Sequence, residues 1–234
     1  HWPSRASAWS PDGKYLAVGG DNRQIIVYET TDWTIHKVLS GHEGSVLTVD
    51  WSPDGSKIAS GSGTDKVDMH NTPENMIKIW DFAKGNVISN LTGHEDGVLE
   101  VKWSSDGSLL VSASDDGTLK MWNSSTWSNV LNMSGPRGGM LSVDWSPNGT
   151  MLVSGSRDYS VMLWNASNGK SLAKWSAPNC VRSVDWHPLG ELIASSGPAE
   201  SQLRIRNATT GSVIKTFEEA AKTLAGGATS AFEL

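Results

Sequence analysis

One cysteine, Cys180, is present in the chain. A single thiol forms no internal disulfide and builds no cysteine-rich zinc site. No stretch approaches the run of about 18–20 apolar residues that a membrane-spanning helix needs, and no signal peptide is recognisable. The chain begins with His1 rather than Met, which leaves the compartment open. Lys and Arg are scattered, and the net charge is −6. A nucleic-acid binder gains affinity by neutralising phosphates with a basic face, so no nucleic-acid partner is expected. HExxH, a Gly-rich phosphate loop and cysteine pairs are all missing. No catalytic set, cofactor or metal site is therefore expected. Phe and Tyr are scarce, at 3 each, against 12 Trp. An aromatic used so selectively points to one structural role copied many times.

The copies are easy to find. Five anchors stand in the same frame: Trp9-Ser-Pro-Asp-Gly13, Trp51-Ser-Pro-Asp-Gly55, Trp103-Ser-Ser-Asp-Gly107, Trp145-Ser-Pro-Asn-Gly149 and Trp186-His-Pro-Leu-Gly190. The Trp residues are 42, 52, 42 and 41 positions apart. An insertion of about ten residues within 63–75 explains the one long interval. An alternating apolar segment such as Val46–Trp51 precedes each anchor and reads as a strand. Asp-Gly or Asn-Gly then signals a tight hairpin. Second, third and fourth strands follow, exemplified by Leu109–Ser112, Thr118–Trp122 and Ser128–Leu131. Four short antiparallel strands repeated at this period predict an all-β propeller. Approximate blades run over 4–40, 41–91, 92–133, 134–175 and 176–217. A tail over 218–234 holds a segment, Ala228–Phe232, that could begin a sixth blade.

The units resemble WD40 repeats. The marks are Gly41-His42, Gly93-His94, the five Trp-centred turns, and third strands ending Ile79-Trp80-Asp81, Met121-Trp122-Asn123 and Leu163-Trp164-Asn165. The resemblance covers roughly residues 4–217. It implies a buried hydrogen-bond network of His, Ser or Thr, Asp and Trp in each blade. The third unit has the full set: His94, Ser112 or Ser114, Asp116 and Trp122. The second has His42 and Trp80, with its Asp displaced by the insertion. The fourth has Asp158 and Trp164, with Pro136 where His would stand. The first has Asn22 and Tyr28, and the fifth has Arg206 in place of Trp. Members of the family usually have seven blades, so five visible blades imply a fragment of a longer ring. The resemblance also implies a non-enzymatic interaction scaffold whose partner is a protein or peptide. Two alternatives stay open: a small-molecule or catalytic site in the central channel, and a purely structural domain of a larger protein.

Function on such a scaffold sits on loops and rims. Four residues before each anchor stand Arg5, Leu47, Leu99, Leu141 and Arg182. An apolar centre with Arg at its margins suits an interaction face, although the Leu side chains could equally pack against neighbouring blades. Asp115, Arg157, Tyr159 and Arg137, in the loop Gly135-Pro-Arg-Gly-Gly139, are expected on the same face. The insertion, with Lys66, Asp68, His70 and Glu74, is expected to project from it.

Asp50, Asp144 and Asp185 precede their anchors, with Lys102 at the matching position. They could bind a cation in the channel or pair with donors of neighbouring blades. His36, His70 and His187 show no spacing that suggests shared ligation. Six N-x-Ser/Thr sequons begin at Asn90, Asn123, Asn132, Asn148, Asn165 and Asn207. Asn123, Asn165 and Asn207 fill one repeated turn position, which explains half of them without glycosylation.

Overall fold

The structure, a computed structural model, describes residues 2–63, 74–135, 138–198 and 203–217. Its strands form five four-stranded antiparallel sheets, each a meander in chain order. Blade 1 is β1 (Ser4–Trp9), β2 (Tyr15–Gly20), β3 (Gln24–Glu29) and β4 (Ile35–Ser40). Blade 2 is β5 (Ser45–Trp51), β6 (Lys57–Gly63), β7 (Ile77–Asp81) and β8 (Asn86–Leu91). Blade 3 is β9 (Val98–Trp103), β10 (Leu109–Ser114), β11 (Thr118–Asn123) and β12 (Asn129–Ser134). Blade 4 is β13 (Met140–Trp145), β14 (Met151–Ser156), β15 (Ser160–Asn165) and β16 (Ser171–Ser176). Blade 5 is β17 (Ser183–Trp186), β18 (Leu192–Ser196), β19 (Leu203–Asn207) and β20 (Val213–Phe217). The first strands of successive blades lie side by side, as β1 against β5 and β5 against β9. They form the inner wall of the array.

A four-stranded sheet cannot bury its own faces, so the core lies between blades. Each of the four apolar clusters straddles two of them. Ala17, Ile25, Val27 and Leu39 of blade 1 meet Val46, Val49, Trp51, Ile58 and Trp80 of blade 2. The same positions recur between blades 2 and 3, 3 and 4, and 4 and 5. The anchors Trp51, Trp103, Trp145 and Trp186 are 4–8% exposed, whereas Trp9, with no blade before it, is 57% exposed. Burying such a side chain contributes roughly 2 kcal/mol. Two faces are left uncovered among the described residues: that of blade 1 carrying Trp9, and that of blade 5 carrying Leu203 and Phe217.

The anchor motif has a local cause. Ser10, Ser52, Ser104 and Ser146 donate to the side chains of Asp12, Asp54, Asp106 and Asn148 at 2.6–2.8 Å. The Gly that follows donates its N–H back to the Ser carbonyl at 2.8–2.9 Å and takes φ near +70°, where a Cβ is unfavourable. Each link is therefore five residues long, such as Ser10 to Lys14, rather than the tight hairpin expected from Asp-Gly. His187 replaces the Ser in blade 5, and its Nδ1 accepts from the N–H of Leu189 at 3.2 Å.

Candidate interaction face and the channel beneath it

Within blade 3 the polar network forms as the resemblance implied. The Trp122 indole N–H donates to Ser112 Oγ at 2.9 Å, Ser112 lies 2.8 Å from His94 Nε2, and His94 Nδ1 lies 2.8 Å from Asp116 Oδ2. The bonds are satisfied together when Ser112 donates to Nε2 and Nδ1–H donates to the carboxylate. Burial would raise the Asp116 pKa, but the donors His94, Thr118 and the Glu95 N–H hold it well below the usual range. Of the two serines considered, Ser112 is the member; Ser114 donates instead to the Asp96 carbonyl.

Blade 2 corrects the sequence reading. Its acid is not displaced but replaced by Glu74. His42 Nδ1 lies 3.0 Å from Glu74 Oε2, His42 Nε2 lies 2.7 Å from Ser60 Oγ, and Trp80 Nε1 donates to Ser60 at 2.8 Å. Glu74 also accepts the N–H groups of Glu43 and Gly44 at 2.7 and 3.0 Å and pairs with Lys78 at 3.2 Å. Burial opposes its charge, but the His42 bond and these N–H groups outweigh it and hold its pKa at about 2. Burial lowers the pKa of His42, against the pull of Glu74. The signal for Glu74 was present: it stands six positions before Trp80, as Asp116 does before Trp122 and Asp158 before Trp164.

The remaining blades keep parts of the set. Trp164 donates to Ser154 at 2.9 Å, while Asp158 pairs with Lys174 at 2.9 Å. Asn22 caps its own turn through the Gln24 N–H. Arg206, only 4% exposed, donates to the carbonyls of Gly211 and, across the blade boundary, Ser176. Pro136 and Arg137, residues 64–73 with Lys66, Asp68 and His70, and Ala228–Phe232 lie outside the described residues.

The structure brings the five rim positions together. Arg5, Leu47, Leu99, Leu141 and Arg182 line one cavity of about 230 Å³, with Thr48, Glu100 and Lys102 in its wall. The three Leu are half-buried. Leu47 packs toward Gly63, where an added Cβ would come within 2.8 Å of its Cδ1. Packing thus uses part of each Leu and leaves part facing the cavity. Arg5 is held by a two-point bond to Asp21 at 2.8 and 3.0 Å. Arg157 makes the same bond to Asp115 at 2.7 and 3.0 Å, joining blades 3 and 4. Tyr159 is exposed and takes φ +68°, a left-handed conformation that costs a non-glycine residue about 1–2 kcal/mol.

Deeper along the inner wall, carboxylates tie each blade to the next. Asp50 accepts the Trp103 N–H at 2.8 Å, and Asp144 accepts the Trp186 N–H at 2.6 Å. Blade 3 has Lys102 where the Asp would be, and the tie moves two residues back: Glu100 accepts the Val143 N–H at 2.7 Å. Sequence reading missed Glu100; the reversed charge at Lys102 was the only hint. Burial pushes the pKa of Asp50 up to about 6, of Asp144 to about 6 and of Glu100 to about 7, against the attraction of Lys102 and these N–H groups. Burial alone would lower the Lys102 pKa, but Asp50, Glu100 and Asp144 raise it.

Of the described histidines outside the networks, His36 packs on Tyr15 and Phe82 in one blade interface, and His187 serves its turn. Asn123, Asn165 and Asn207 each accept an N–H two residues on, at 2.9–3.0 Å. Their repetition therefore follows from turn chemistry. Among the described residues, no helix is long and apolar enough to cross a membrane.

A comparison with curated proteins finds no match. The family model described as WD domain, G-beta repeat matches residues 4–29, 33–81, 85–123, 127–165 and 169–205. From the second match onward its frame starts near an outer strand and ends with the third strand of the next blade, so each match spans a blade boundary. By these matches and the blades they cover, the chain belongs to the WD40 repeat family, whose repeats generally act as scaffolds for protein–protein interaction.

Proposed function

We propose that the chain is a non-enzymatic scaffold that presents the channel mouth to a peptide or protein partner. The observation that carries this reading is the convergence of Arg5, Leu47, Leu99, Leu141 and Arg182, one from each blade, on a single cavity. Because the side chains come from positions in or next to first strands that the inter-blade core fixes, binding requires little ordering of the scaffold. Arg157, Asp115 and Tyr159 extend the surface over blades 3 and 4. Arg182 at one margin supplies a forked donor for carboxylates or carbonyls of the partner, Arg5 at the other is oriented by its bond to Asp21, and the half-buried Leu supply apolar contact. Asp50, Glu100 and Asp144 below are engaged in ties between blades, which accounts for these three without a substrate.

Affinity capture tests the reading. Wild type and the double variant Leu99→Asp/Leu141→Asp are compared after both are shown to fold by circular dichroism and thermal melting. Partners recovered by the wild type and lost by the variant support the mouth as the binding site. Partners kept by the folded variant place binding elsewhere.

A further inference from the structure

We propose that a cavity at the boundary of blades 2 and 3, on the side away from the mouth, is a binding site for a free α-amino acid. The cavity has a volume of about 300 Å³, at the small end of the range for small-molecule sites. It lies between the anchor turns that follow β5 and β9, at the opposite end of these strands from Leu47 and Leu99.

Two departures from the repeat open it. At each blade boundary, the residue six past one anchor lies near the residue two past the strand-three Trp position of the next blade. Blades 1 and 2 fill this place with Tyr15 and Phe82, whose ring centroids are 5.0 Å apart. Blades 3 and 4 fill it with Leu109 and Ala166, and blades 4 and 5 with Met151 and Ala208. Between blades 2 and 3 the same positions hold Lys57 and Ser124, and both line the cavity.

The anchor Trp in the cavity wall also lacks a partner. Trp51 and Trp145 donate their indole N–H to the carbonyls of Ala8 and Lys102 in the preceding blade, at 3.0 and 3.1 Å. Trp103, only 7% exposed, has no partner for its indole N–H among the described residues. Trp186 shares that lack, but there Met151 and Ala208 occupy the adjoining place. The boundary of blades 2 and 3 is thus short of polar partners as well as of apolar filling.

The lining carries both signs of charge. Ser52 and Ser104, with the turn N–H groups of Ser56 and Ser108, hold the carboxyls of Asp54 and Asp106 below the usual range. Lys57 donates to Ser56 Oγ at 3.0 Å, and the Ser124 hydroxyl makes no hydrogen bond among the described residues. A lone anion would face Asp54 and Asp106, and a lone cation would face Lys57. A zwitterion answers both: its ammonium sits by Asp54 and Asp106, and its carboxylate accepts from Lys57 and Ser124. An α-amino acid carries both groups on one carbon and fits the space with its side chain.

The test melts the full chain in about 10 mM of each common amino acid and follows any that stabilises by titration calorimetry. At least one should raise the melting temperature by about 3 °C, as a Kd near ~1 mM would. Amidating its carboxylate or acetylating its amine should weaken binding at least about tenfold. Lys57→Met/Ser124→Ala installs the pair that blades 4 and 5 use; it should abolish binding and melt no lower than wild type. Asp106→Asn keeps the turn, as Asn148 does in blade 4, and should weaken binding about tenfold. Leu99→Asp/Leu141→Asp should bind as wild type does. The proposal is overturned if no amino acid stabilises the chain, if binding survives Lys57→Met/Ser124→Ala, or if it is indifferent to amidation and acetylation. Binding lost in the mouth variant alone would place the ligand at the mouth, and that also overturns it.

Discussion

Glu74 stands against His42 as Asp116 stands against His94: the Nδ1-to-carboxylate distances are 3.0 and 2.8 Å. The longer side chain reaches the same histidine nitrogen from the end of an insertion, and a spacing of six residues to the strand-three Trp is kept. The network therefore accepts either acid. Glu74→Ala leaves the His42 N–H, two loop N–H groups and Lys78 without their acceptor. It is expected to destabilise the chain by about 3 kcal/mol, and Glu74→Asp by less. Urea unfolding followed by Trp fluorescence measures both.

Ser112 is the hinge of the blade 3 network, accepting from Trp122 and donating to His94. Ser112→Ala strands both partners in a buried site, at a cost of about 2–4 kcal/mol. Ser114→Ala, which removes a bond to a loop carbonyl, is expected to cost less than half as much. Equal losses would show that the network has no special weight.

The channel carboxylates give stability a pH dependence of unusual sign. The folded-state pKa values of Glu100, Asp50 and Asp144, about 7, 6 and 6, lie above the ordinary carboxylate range. Their contribution is present in full below that ordinary range and is lost as pH rises through the folded values. His42 acts in the opposite direction, since its folded pKa lies below its ordinary value. The comparison is therefore made between wild type and Glu100→Gln, in which His42 is common to both. From pH 4.5 to 7.5 the wild type should lose about 2 kcal/mol relative to the variant, read from urea midpoints at each pH. A difference independent of pH would contradict the assignment.

The blade pattern was legible because the anchor turns of blades 1 to 4 need a particular Ser, Asp or Asn and Gly, and the chain repeats them in frame, with Trp, Pro and Gly kept in the fifth. What the sequence hid was side-chain geometry. Glu74 escaped notice because reading by residue type looked for Asp. Glu100 escaped because its tie starts two residues before the position that Asp50 and Asp144 use. The Leu series was identified by position, but only packing could show that Leu47, Leu99 and Leu141 are half-buried rather than fully presented.

The Asp115–Arg157 pair separates binding from stability. Arg157 is largely solvated, with its side chain 52% exposed, and such pairs contribute about 1 kcal/mol or less to folding. Arg157→Ala should therefore melt within a few degrees of wild type. On the proposed face it should nonetheless weaken a captured partner about tenfold, as measured by titration calorimetry.

The most direct test of the interaction face is the Kd of one captured partner for the wild type and for the single variants Arg5→Ala, Leu99→Ala, Leu141→Ala and Arg182→Ala. Leu189→Ala serves as the control, because Leu189 is 77% exposed in a turn at the opposite end of the inner strand. The account predicts losses of tenfold or more at two or more of the four rim positions, and none at Leu189. Unchanged affinity at all four positions, or a loss confined to Leu189, would contradict it.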